Sequence, residues 1–197
     1  MDTGNTPARS LQGTGTMSHV AVFDVETQLT ADEVGGWAHI RDMRLSVGVV
    51  YTEADGLYHT FYEDQIDALI QMLQQADLVV GYNLIRFDYE VLRRYTTAPL
   101  DDLPTLDMLA DLHRILGWRP SLDSIASATL GHSKSADGLQ AVRWFREGKW
   151  DELTAYCKRD VEVTWQVYEF GRRNRYVQYR DRRFKMKRVP VNWTLSA

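Results

Sequence analysis

The sequence predicts an α/β fold in which three strands, a helix and a fourth strand precede a series of helices. Three observations predict it. Val20 to Phe23 is apolar on both faces, the pattern of a central strand covered on each side, and it runs into Asp24 and Glu26. Two β-rich segments come next, divided at an Asp55-Gly56 step that signals a hairpin. Beyond Tyr82 the apolar spacing is that of helices.

The first strand ends in chemistry. Asp24 and Glu26 are two residues apart, so their side chains share one face and stand about 7 Å apart along the strand. Two such carboxylates repel unless a cation lies between them, and a divalent metal is the natural partner. An isolated Asp-x-Glu also fits a strand that has merely reached solvent, so its meaning depends on the motifs later in the chain.

Residues Gln28 to Asp42 contain a Gly35-Gly36 break and an exposed-looking Trp37, and read as a loop or insertion. Met43 to Thr52 and Gly56 to Tyr62 are the second and third strands. Glu63 to Ala76 places Ile66, Leu69, Ile70 and Leu73 at helical spacing, with Asp64 and Asp67 in the first turn, where acids suit the helix dipole. Leu78 to Tyr82 is a short buried strand. Asn83 then sits in the turn leaving that strand, and Phe87-Asp88 opens a helix running to about Tyr95. Beyond a loop marked by Pro99 and Pro104, Leu106 to Leu116 and Ser121 to Leu130 read as helices, with Ser121 a credible N-cap. Asp107 reads equally as a helix-start acid or as support for the site. Gly131 to Gly138 is polar and loop-like and carries His132 and Lys134. Trp150 to Phe170 is a helix closed by Gly171, with Leu153, Cys157, Val161, Thr164 and Tyr168 in one apolar stripe. Tyr156 and Asp160, four residues apart, project from one face beside that stripe.

At 197 residues the chain suits a single ordinary domain that buries a core without staples. No apolar run is long enough to cross a membrane. One cysteine, Cys157, excludes an internal disulfide framework and a multi-cysteine metal site; with no secretory apolar segment, the expected compartment is the reducing cytoplasm. The first sixteen residues are small, polar and turn-prone, the composition of a disordered leader, with Met17 a candidate initiator. The net charge of −4 hides an asymmetry: from Gly171 onward nine Lys/Arg face one acid, Asp181, giving +8 there and leaving −12 on the rest. An acidic body with a basic tail accommodates a polyanion if the acids are gathered around metal ions. Phe184-Lys185-Met186-Lys187 alternates apolar and basic residues, the pattern of a strand or hairpin with one cationic face rather than a floppy tail.

Asp-x-Glu on a first strand, Asn-x-x-x-Phe-Asp at a strand-to-helix step and Tyr-x-x-x-Asp on a late helix occur here in that order. In this the sequence resembles the DEDD superfamily of 3′-5′ exonucleases, in its tyrosine-bearing branch, over roughly residues 18 to 170. Within it the chain looks like the compact stand-alone relatives of the proofreading domain of family B DNA polymerases, the YprB-like domains. The segment Leu130 to Lys134 and the approach from Trp144 to Gly148 fit that group less specifically. The resemblance implies a ribonuclease H-like mixed β-sheet, its first three strands antiparallel, flanked by α-helices.

The implied organisation is a leader over 1–17, an exonuclease domain over 18–170 and a basic segment over 171–197, a strand or hairpin packed on that domain. The implied activity is hydrolysis of single-stranded DNA or RNA from a free 3′ end to 5′-mononucleotides, with two divalent cations, Mg²⁺ or Mn²⁺. By the same resemblance Asp24, Glu26 and Asp160 hold the metal that carries the attacking water, and Asp24 and Asp88 serve the second. Tyr156, with a reference pKa of about 10, would orient the water and not deprotonate it. Asn83 would brace the loop carrying Asp88, and Phe87 would pack in the core rather than stack on a base. Asn83, Lys134, Arg182, Arg183, Lys185 and Lys187 are the expected nucleic-acid contacts. A helicase or polymerase is a conceivable partner, and a catalytically silent binding module is the competing function.

Overall fold

The computed structural model describes residues 19–131 and 138–194. The leader, Met17, His132 and Lys134 lie outside the described residues. Five strands form one mixed sheet in the order β3-β2-β1-β4-β5. They are β1 (Val20–Thr27), β2 (Leu45–Thr52), β3 (Leu57–Tyr62), β4 (Leu78–Gly81) and β5 (Thr105–Asp107). β1 pairs with β2 and β2 with β3 in antiparallel fashion, whereas β4 and β5 continue the sheet in parallel on the other side of β1. This is the ribonuclease H-like mixed sheet that the motifs imply.

Strand alternation divides the core. Val20 and Val22 face one layer together with Val47 and Val49, and there α6 (Trp150–Asn174) supplies Leu153, Cys157 and Val161. Ala21, Phe23 and Val25 face the opposite layer, covered by α1 (Ile66–Gln74) and α2 (Asp88–Leu92). The even-numbered residues of β1 thus look towards α6, and Asp24 and Glu26 are the next two in that series.

Several expectations give way to the structure. The helix expected from Leu106 begins at Met108 as α3 (Met108–Leu116), because Thr105 to Asp107 instead lies alongside β4 as an edge strand. α2 is a single short turn and ends well before Tyr95. α5 (Gly138–Arg146) is an additional helix, and the stretch after β1 contains a 3₁₀ helix over Trp37–Met43. α4 (Leu122–Leu130), by contrast, has the expected Ser121 cap, its hydroxyl accepting from the Ser124 N–H.

Gly171 does not close α6. The helix continues to Asn174 and ends at Arg175, in the left-handed region at φ 64°. Gly171 has a packing reason instead: a Cβ there would lie 2.3 Å from the Trp193 ring. Trp193 lies just beyond a two-stranded antiparallel sheet of β6 (Tyr176–Arg180) and β7 (Met186–Pro190), and its Nε1–H donates to Asp111 at 2.8 Å. Val177, Val189, Val191 and Trp193 are buried, so the basic hairpin is fastened to the domain by its apolar residues.

Candidate active site

The sheet and α6 bring three carboxylates together. One oxygen from each of Asp24, Glu26 and Asp160 lies within 4.8 Å of the others. Asp160 arrives there because it lies beside the stripe of α6 that packs on Val20 and Val22. Tyr156, one turn earlier, donates its hydroxyl hydrogen to Asp160. Cys157 is fully buried between the helix and β1, its Sγ 3.4 Å from the Asp24 carbonyl oxygen.

Asp88 reaches the same place by another route. The parallel ladder between β1 and β4 ends at Val22, and further along β1 the Val25 N–H donates to Asp88 Oδ1 at 3.0 Å. Asp88 is 1% exposed and is held at the backbone of Val25, the residue between Asp24 and Glu26, outside the cluster of three. The loop that delivers it starts at Asn83, whose φ of 77° is tolerated by Asn better than by most side chains. Asp107 anchors this loop. Its carboxylate accepts from the Asn83 N–H at 2.9 Å and the Ile85 N–H at 3.2 Å, and it also caps α3 through the Leu109 and Ala110 N–H groups. Both readings of Asp107 therefore hold at once. Asn83 meets the loop through its backbone, its carbonyl oxygen accepting from the Phe87 N–H at 3.0 Å, while its side-chain Oδ1 accepts from Arg119.

Burial and mutual repulsion make these acids harder to ionise. Burial first, then the neighbouring Asp88, Glu26 and Asp160, pushes Asp24 well above the usual carboxylate range, and Glu26 rises for the same reasons. Asp88 is pushed up to about 8 by burial, against the stabilising Val25 N–H. Asp160 is pushed up to about 6, again by burial, with the Tyr156 hydroxyl opposing and Asp123 of α4 adding repulsion. Burial and the adjacent acids raise Tyr156 above its ordinary value, so it stays a neutral hydroxyl. A divalent cation among these oxygens would relieve the repulsion, and an all-oxygen donor set is the kind that hard cations take. The residues present fit such an ion.

The carboxylates open into a cleft of about 490 Å³. Trp37, Met43 and Phe87 line it, together with Leu139 and Val142 of α5. Phe87 packs at the edge of the core and also faces this cleft, with its ring 6.3 Å from that of Trp37. Trp37 is 67% exposed and was not legible as a site residue; its one signal is a large aromatic in a polar loop just after Asp-x-Glu. Asp123 and Cys157 carry no sequence mark of their proximity at all. Arg182, Arg183, Lys185 and Lys187 lie on the β6-β7 hairpin and its tip, exposed and remote in sequence from the cleft.

No curated protein matches the chain. Among solved structures, the family B DNA polymerase from the hyperthermophilic archaeon Pyrobaculum calidifontis is similar in fold, with a TM-score of 0.59 at 20% identity over 86% of this chain. The chain spans 25% of that polymerase's length. Residues 21–170, which run from β1 through most of α6 and so include every carboxylate described above, match the RNase_H superfamily, and the chain belongs to it.

Proposed function

We propose that the protein is a metal-dependent 3′-5′ exonuclease of the tyrosine-bearing DEDD branch, releasing 5′-mononucleotides from single-stranded nucleic acid. The observation that carries this reading is the convergence of Asp24, Glu26 and Asp160 at a cleft, with Tyr156 hydrogen-bonded to Asp160. The 3′-5′ polarity rests on the motif resemblance, and the fold likeness to a family B polymerase is in keeping with it.

Asp24, Glu26 and Asp160 would hold one divalent cation, and Asp24 and Asp88 would serve a second. Mg²⁺ or Mn²⁺ bound there supplies an activated water and charge compensation at the phosphate. The chain's own groups do the rest. Asp24 and Glu26 are held by a central strand and Asp160 by a 25-residue helix, so the oxygens are fixed before substrate arrives. The neutral Tyr156 hydroxyl, aimed at the carboxylates, orients the attacking water by hydrogen bonding; with its pKa raised it is no base. The exposed Arg182, Arg183, Lys185 and Lys187 would hold the backbone of the strand.

The test is direct. Purified protein is incubated with 5′-labelled single-stranded DNA and RNA in Mg²⁺, Mn²⁺ or EDTA. A ladder shortening from the 3′ end in the metal lanes alone is expected, and the preferred strand identifies the substrate. Asp24→Ala and Asp160→Ala should abolish it while leaving the fold intact. Residual activity within about tenfold of wild type would remove the assignment, and binding without any cleavage would leave a silent binding module.

A further inference from the structure

The aromatic wall of the cleft has a second side. Trp37 and Phe87 also line a separate pocket of about 280 Å³, shared with Ile40, Asn83, Arg86 and Arg119. The two hollows have opposite charge. The cleft is lined by Asp24, Glu26, Asp32 and Asp160, the pocket by two guanidinium groups and no acid.

Both arginines are exposed, and neither makes an ion pair with another described residue. The Arg119 side chain is oriented by its bond to Asn83 Oδ1, which leaves other N–H groups of the fork for a ligand. By contrast, the nearby Arg41, Arg93 and Arg94 are each committed to acids. Next to Arg119, the exposed Trp118 ring meets Tyr179 of β6 edge-on at 6.0 Å, and Tyr179 lies opposite Lys187 in the hairpin register. Trp37 and Phe87 thus join the carboxylate cleft to the pocket of Arg86 and Arg119, and Trp118, next to Arg119 in the chain, contacts the basic hairpin.

We infer that the pocket of Arg86, Arg119 and Asn83 is a backbone subsite for single-stranded nucleic acid, holding phosphates on the 5′ side of the nucleotide that occupies the cleft, with Trp37 as the platform between them. The inference rests on the exonuclease reading for the direction of the strand. Its physical basis is that the cleft's acids are given over to the metal at the reacting phosphate, so the rest of the strand must be gripped where the protein itself is cationic. Guanidinium forks bind phosphate in bidentate fashion, and an aromatic face accepts any base.

The experiment measures binding of short single-stranded DNA and RNA oligomers by fluorescence anisotropy in Ca²⁺ over a salt series, and cleavage of the same oligomers in Mg²⁺. In Arg86→Gln/Arg119→Gln the affinity should fall about tenfold, and the slope of log K against log salt should flatten by up to about 1.4, at roughly 0.7 per lost contact on a single strand. KM should rise with the loss of affinity while kcat falls less than about threefold. Trp37→Ala should weaken binding without altering the salt slope, because it removes stacking and no charge. Arg173→Gln, which removes a surface cation paired with Glu169 on α6 and outside the pocket, should leave both readouts as they are. A double variant with wild-type affinity and slope, in a protein that still cleaves, overturns the subsite and spares the exonuclease reading. A wild type that neither binds nor cleaves single strands overturns both.

Discussion

Tyr156 and Asp107 show how much one polar group can carry. Tyr156→Phe keeps the ring against Trp144 and deletes only the hydroxyl that contacts Asp160. Single-turnover cleavage should slow by roughly 10- to 1,000-fold, the range for losing one positioning or charge-stabilising group, with little change in affinity. An unaltered single-turnover rate would make the tyrosine a packing residue. Asp107 is 6% exposed and satisfies four backbone N–H groups in two elements. Asp107→Ala should cost roughly 2 to 4 kcal/mol, adding a lost cap to buried donors left without partners. Urea unfolding measures this, and a loss below about 0.5 kcal/mol would show that water replaces the carboxylate.

At the scale of the element, α6 is the part on which the site depends, since it carries Tyr156, Cys157 and Asp160 and packs on β1 and β2. Gly171 is the tight point of that helix. Alanine there gains about 1 kcal/mol of helix propensity, but its Cβ would stand 2.3 and 2.5 Å from Trp193 ring carbons. Overpacking of this kind costs typically about 1 to 3 kcal/mol, so the clash wins and Gly171→Ala should lower stability. The measurable signature is coupling. Trp193→Leu should destabilise the wild type more than it destabilises Gly171→Ala, because in the variant it also relieves the clash. Additive losses would mean the helix and ring move apart freely.

For the whole molecule, the crowded acids make a pH signature. Unfolded, the carboxyls lose their protons near about pH 4; folded, Asp160 keeps its proton to about 6 and Asp88 to about 8. Between those limits the metal-free native state binds more protons than the unfolded chain, so stability falls as pH rises. Thermal melts in EDTA should show a falling midpoint from pH 5 to pH 8, with a smaller fall in Asp24→Asn. Mn²⁺ or Mg²⁺ should recover more stability at pH 8 than at pH 5, since a ligand that binds only the native state stabilises it and competes there with fewer protons. A flat profile would mean the acids are solvated and uncoupled. The hairpin gives a second signature: Arg182, Arg183, Lys185 and Lys187 replaced by Gln should flatten the salt dependence of single-strand binding by up to about 0.7 log unit per lost contact, more for longer strands. An identical slope would leave the basic face as protection of a sheet edge.

Local pattern alone determined the strand run ending in Asp24 and Glu26, the hairpin between β2 and β3, the Ser121 cap and the apolar stripe of α6, because each depends on a period or a cap within a few residues. The order of three short motifs was enough to imply the ribonuclease H-like sheet. What lay outside local reach was every feature set by a partner distant in sequence. β5 is a strand because β4 offers a free edge to Thr105, against the helical spacing that begins at Leu106. Gly171 sits within the last turn of α6 because Trp193 needs the space, although a glycine there reads as a stop. Asp88 differs from the other acids because β1 runs on beyond its ladder with β4 and gives the Val25 N–H to the Asp88 carboxylate. The cleft wall is likewise tertiary: Trp37 and Phe87 are 50 residues apart in sequence, and only the loop after β1 folding over α2 puts their rings 6.3 Å from each other.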